Sequence, residues 1–84
     1  MMLHITKVTY LEDYRLRLQF NDGSVKEVNL RTKLYGEEFE PLKNLDLFRQ
    51  VRLNPESHTI EWPNGAFFSP EYLHEIGIEV RKTA

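Results

Sequence analysis

Four groups of side chains in this chain are of types that could do chemistry. His4, His58 and His74 could ligate a metal, but they show neither the i, i+4 pairing nor the HExxH spacing that brings two imidazoles to one ion. Glu37, Glu38, Glu40 and Asp46 crowd one stretch. Acid–base work would require two of them to be buried and coupled, and a solvated acidic loop is the simpler expectation. Arg15, Arg17, Lys26 and Arg31 lie near one another and could form a basic strip for an acidic partner or nucleic acid. Trp62, Phe67 and Phe68 stand in "TIEWPNGAFFSPEYLHEIG": the indole is expected to close the open end of the core, with a partner anchor as the alternative, and adjacent rings on an extended backbone point opposite ways, so one packs inside while the other could anchor a protein partner.

Other chemistries have no residues to carry them. The chain has no cysteine, which removes disulfides, thiolate catalysis and cysteine metal sites. No nucleophile elbow and no glycine-rich phosphate loop is present. The expected cofactor and metal complement is therefore none, and the expectation is a protein that is not an enzyme. The 11 basic and 13 acidic residues are interspersed and leave a formal charge of −2, unlike the basic face of a protein that binds mainly by neutralising phosphates. "MMLHITKVTY" has no charged leader followed by an apolar run, and no stretch approaches a membrane span. A cytoplasmic protein without membrane contact is the expectation.

The elements that must position these residues follow from periodicity. Eighty-four residues make one domain, 1–84. In "RLRLQF", Leu16, Leu18 and Phe20 alternate with Arg15, Arg17 and Gln19, as in a strand with one buried face. Asp22-Gly23 signals a hairpin into a returning strand with Val28 and Leu30. Val25 is out of phase with Val28. If Val25 sits opposite Phe20, a bulge near Lys26 must reset the register. "HITKVTYL" supplies a first strand with imperfectly phased Ile5, Val8 and Tyr10, completing a three-stranded meander.

The middle of the chain lacks alternation. Asn44 is placed to cap a helical turn through Arg49, and Phe39, Leu42, Leu45 and Phe48 are expected to cover the sheet. A second hairpin pairs Val51 and Leu53 with Ile60 and Trp62, with Thr59 and Glu61 facing away. Pro63 ends it. Ser69-Pro70-Glu71 is a strong helix start. Tyr72, Leu73 and Ile76 make the apolar face of the helix, Gly77 its stop, and His74 lies on its exposed side. Ile78 to Val80 suggest a short edge strand within the tail "IEVRKTA". The fold class is α+β: a two-layer domain with a three-stranded antiparallel meander, a part-helical excursion, a second hairpin and a C-terminal helix.

"YRLRLQFNDGSVKEVNL", "FEPLKN" and "LFRQVRLNPESHTIEWPNGAFFSPEYL" together resemble the bacterial domain of unknown function 2442 from Tyr14 to Leu73, most specifically in the closing I-x-W-P-N-G-A motif. The resemblance implies a small α+β domain like the first module of proteins whose second half is helix-turn-helix. It implies no established activity. It also implies a partner protein encoded nearby, in an arrangement that looks like a toxin–antitoxin or regulatory pair. Phe67 stands where the family pattern commonly has an acid, and 84 residues are expected to leave no room for an appended helix-turn-helix.

The functional expectation is a non-enzymatic protein-interaction or regulatory module, the antitoxin-like member of a two-protein bacterial system. Its contact residues are drawn from Trp62, Phe67, Phe68, Arg15 and Arg17. The alternative is a small nucleic-acid binder using the Arg15, Arg17 and Lys26 sheet face. A homodimer through an open strand edge is a further expectation.

Overall fold

The computed structural model describes residues 2–80. Arg81 to Ala84, the end of the tail read above, lie outside the described residues, as does Met1. Three strands follow one another as an antiparallel meander: β1 (Ile5–Glu12), β2 (Arg15–Phe20) and β3 (Val25–Asn29). A 3-10 turn (Glu40–Lys43) leads into the one-turn helix α1 (Leu45–Phe48). The hairpin β4 (Arg52–Asn54) and β5 (Thr59–Glu61) precedes helix α2 (Pro70–Ile76). A two-residue strand β6 (Ile78–Glu79) then returns to β3, giving one sheet of order β1-β2-β3-β6 and a separate β4-β5 pair. The α+β architecture is the one expected, including the short edge strand.

Both ribbons give their apolar side to one core. Leu16 and Leu18 of β2, Ile60 of β5 and Trp62 just after it are all fully buried in a single cluster with Ile5, Phe20, Val28, Leu30, Leu42, Phe48 and Leu73. Two core assignments differ from expectation. Leu45 opens the first turn of α1 and is 37 % exposed, whereas Leu34, in a segment with no periodicity to flag it, is buried. Thr59 is buried rather than facing away, and its hydroxyl donates to the Phe68 carbonyl, so a polar side chain enters the core with its partner.

The register of the meander corrects the expected bulge. Gln19 faces Val25, Leu18 faces Lys26 and Leu16 faces Val28 without interruption. The hairpin loop explains this. Phe20 N–H donates to the Ser24 carbonyl at 2.9 Å, so the loop holds three residues, Asn21 to Gly23, with Gly23 at φ +88°. Asn21 does not pair with Ser24. Its backbone N–H donates to the His4 carbonyl, its amide oxygen accepts the His4 N–H and its amide nitrogen donates to the Met2 carbonyl. The extra loop residue shifts β3 by one position before the strand begins, which puts Val25 on the outer face and Val28 inside.

The irregularities lie in β1 instead, between Ile5 and Lys7 and between Tyr10 and Glu12. The first allows Ile5 and Val8, which differ in phase, to oppose Phe20 and Leu18 on the same face.

Lys26 is consequently a core-face residue. Its stem lies beneath the end of α2 and its ammonium donates to the His74 carbonyl at 2.7 Å, capping the helix C-terminus. The close approach also explains Gly77. Its φ of −72° is ordinary, so it does not stop the helix as a left-handed cap. A Cβ there would lie 2.9 Å from both the Leu73 carbonyl oxygen and the Lys26 Cβ.

Candidate partner-binding groove

The segment after β5 begins with Trp62, which is fully buried and donates its indole N–H to the Phe48 carbonyl at 2.7 Å. The residue expected as a partner anchor therefore presents no surface; it holds α1 and the sheet together. Pro63 ends the strand, and Asn64-Gly65 turns the chain with Gly65 at φ +88°. The Asn64 amide oxygen accepts the Ala66 N–H, while its nitrogen donates to the Glu38 carbonyl at 2.9 Å, tying the turn to the mid-chain excursion. Glu61 and Phe67 form an isolated bridge, so the chain is still extended there and adjacent side chains point apart. Phe68 turns inward and Phe67 outward, 57 % exposed, which decides which of the two adjacent rings lies at the surface.

Phe68 organises an aromatic surface. It stacks on Phe39 at 4.5 Å and on Tyr72 at 5.6 Å between ring centroids, and meets Trp62 edge-on at 6.0 Å. Trp62 in turn packs on Phe48, against which Tyr14 stands at 5.2 Å. A continuous series of rings thus runs from the buried core to the surface, with geometries that aromatic pairs favour.

At its outer end Lys33, Tyr35, Phe39, Phe67, Phe68, Ser69 and Tyr72 line a shallow groove of about 300 Å³. Tyr35, 70 % exposed, and Phe67 flank it. The Ser69 hydroxyl oxygen accepts the Tyr72 N–H and caps α2, which sets the angle at which Tyr72 enters the floor. Of these residues only Phe67 and Phe68 were singled out from sequence as contacts. Phe39, Ser69 and Tyr72 read as core or cap residues. Lys33 and Tyr35 lie in a stretch without periodicity, where only an unplaced aromatic next to Gly36 could have drawn notice.

The arginine face is organised differently from expectation. Arg15 and Arg17 lie on the outer face of β2, but Glu27 of β3 sits between them and accepts from both at 2.9 Å. Arg15 also reaches Glu12 at 3.2 Å. The Arg17 guanidinium, with Arg15 beside it, holds the Glu27 carboxyl below the ordinary carboxylate range. Lys26, expected on this face, is on the opposite one. Three basic residues thus reduce to two, both engaged by one carboxylate.

His74 is half-buried rather than exposed on the outer side of α2. Its ring meets Phe20 edge-on at 4.9 Å, and its Nε2 lies 3.0 Å from the Asp22 carboxylate. The Ser24 hydroxyl and backbone N–H, with His74, hold the Asp22 carboxyl at about 2, below its ordinary 3.8. His4 and His58 stack at 4.1 Å across the start of β1 and the β4–β5 turn. Among the described residues no group of three or more His, Cys, Asp or Glu converges as a metal site would require. Glu37, Glu38, Glu40 and Asp46 are exposed; Glu40 pairs with Lys43 and Asp46 with Arg49. Among the described residues no helix is long and apolar enough to cross a membrane.

No curated protein and no solved structure matches the chain. The sequence model of a family described as "protein of unknown function (DUF2442)" matches residues 5–79, from the first strand to the last, and the chain therefore belongs to that family.

Proposed function

We propose that this protein is a non-enzymatic interaction module and that its partner seats on the groove between Tyr35 and Phe67. The carrying observation is Phe67 itself: a phenyl ring 57 % exposed, beside a tyrosine 70 % exposed, over a floor of three stacked rings. Scattered exposed apolar residues are ordinary, but a contiguous aromatic patch on a rigid floor is the pattern of a contact surface. The groove is open and shallow, and its lining offers three hydroxyls, of Tyr35, Ser69 and Tyr72, and one ammonium rather than coupled acid and base groups, which suits binding more than catalysis. In biological terms the protein acts as the regulatory, antitoxin-like member of a bacterial two-protein system, in the cytoplasm, with a partner encoded nearby. The nucleic-acid reading has less support, because Glu27 occupies both arginines that would face the phosphates.

The test is co-expression with the protein encoded by the adjacent gene, followed by a mass measurement of the purified species. A stoichiometric complex that is lost with Phe67→Ser, while the variant keeps its thermal transition, is the expected result. A wild-type chain that elutes alone, or a complex indifferent to Phe67→Ser, would count against the proposal.

A further inference from the structure

The groove does not stop at its aromatic floor. A second depression of about 380 Å³, lined by Tyr35, Gly36, Glu37, Glu38 and Phe39, shares Tyr35 and Phe39 with the first. The two are joined across those rings and carry opposite charge. Lys33 lines only the first, Glu37 and Glu38 only the second. Among the described residues none of these three makes an ion pair, whereas the neighbouring charges of the same excursion are paired, Glu40 with Lys43 and Asp46 with Arg49. A cation thus borders one depression and two carboxylates the other, with the Tyr35 and Phe39 rings common to both. Ser69 adds a hydroxyl whose oxygen already accepts the Tyr72 N–H, leaving its proton to donate.

Resting on the reading that this groove seats a protein partner, we infer that its occupant is an extended peptide segment of that partner. In the segment an apolar side chain enters beside Phe67, a carboxylate lies toward Lys33 and a cationic side chain lies toward Glu37 and Glu38. Charge complementarity at a rim selects partners and fixes their direction more than it adds affinity, while a central apolar anchor supplies the binding. The order acid, apolar, base gives the segment one direction only.

Nucleic acid does not fit, since Glu37 and Glu38 repel the phosphates that would follow a base stacked on Tyr35. Leu45 of a second copy fits poorly, because its flanking charges Lys43 and Asp46 are committed to Glu40 and Arg49; a dimer through another exposed apolar residue is an outcome of the test.

The experiment pans a phage-displayed library of random linear peptides against the intact 84-residue chain and measures the enriched sequences as fluorescent synthetic peptides by anisotropy. The expected consensus has an apolar residue with an acid on one side and a base on the other. Phe67→Ser should weaken the best peptide by about tenfold or more. Lys33→Glu should reverse the preference at the acidic position, so that the peptide with its acid changed to lysine binds better than the original. Failure to fold cannot mimic that reversal.

A consensus without flanking charges, a preference unmoved by Lys33→Glu, or no enrichment at all overturns the inference. So does a wild-type chain that elutes as a dimer and becomes monomeric with Phe67→Ser. A partner complex that depends on Phe67 while peptide preference ignores Lys33→Glu sinks the charge order alone. A complex indifferent to Phe67→Ser sinks the groove's function with it.

Discussion

The indole of Trp62 touches Phe48 on one side and Phe68 on the other, and its N–H satisfies the Phe48 carbonyl in a site closed to water. Trp62→Phe removes that donor, leaves the Phe48 carbonyl only the longer 3.3 Å bond from the Val51 N–H and empties part of the indole site, which together cost about 1–3 kcal/mol; urea denaturation should show the loss. Phe67→Ser changes an exposed ring and should leave stability within about 0.5 kcal/mol. The contrast separates the residue that supports the groove from the one that works in it. Asp22 provides a pH signature. Its carboxyl titrates at about 2 when folded against 3.8 ordinarily, so its contribution is complete above the ordinary value and is lost as pH falls from 3.8 through about 2. Stability measured across that window should decline less steeply in Asp22→Asn than in the wild type. Sequence reading saw both rings of Phe67-Phe68 and their opposed directions, because an extended backbone dictates alternation. The inward place of Trp62 also followed from its strand phase, whereas the carbonyl its indole meets depends on what packs over it.

Among the elements, α2 is held at both ends by different means. Ser69 caps its start, and Ser69→Ala should cost about 1 kcal/mol. Its end is held by the Lys26 ammonium on the His74 carbonyl and by Gly77 lying against Lys26. Gly77→Ala introduces a Cβ 2.9 Å from two atoms in an otherwise permitted backbone conformation, so it should lose about 1–3 kcal/mol from overpacking alone. Lys26→Gly in the same background should recover part of that loss, since the Cβ of one of the two clashing groups is then absent; a double-mutant cycle in urea checks it. Strand β2 and the start of α2 were legible because alternation and capping chemistry act within a few residues. The register of β3 was not, because it depended on whether Asn21 paired with Ser24 or with His4 and Met2, seventeen and nineteen residues away.

For the whole molecule, charge placement matters more than net charge. The wild-type chain should show no salt-sensitive binding to a fluorescent single-stranded oligonucleotide, because Glu27 engages both outer-face arginines. Glu27→Gln frees Arg17 and leaves Arg15 held only by the exposed Glu12, and should create weak binding that falls as salt rises. Strong binding by the wild type with a log–log salt slope of several units would contradict this arrangement. The aromatic series from Tyr14 through Phe48, Trp62 and Phe68 to Phe39 and Tyr72 joins residues from every part of the chain. Through it the exposed groove is backed by the same core that keeps a small domain folded.

Local interactions decided the strand–loop–strand of β2 and β3, the Asn44 and Ser69 caps and the turn at Gly65, and these were readable from residue types and spacing. Tertiary packing decided the rest: that Lys33, Tyr35 and Phe39 meet Phe67 and Tyr72 from some thirty residues away, that Glu27 faces Arg15 and Arg17, and that the Trp62 indole meets the Phe48 carbonyl. The physical reason is common to all three. Dihedral preference and hydrogen-bonding within a turn are set by neighbours in the chain, whereas burial and charge pairing are set by neighbours in space, and a three-residue loop in place of a two-residue one is enough to exchange them.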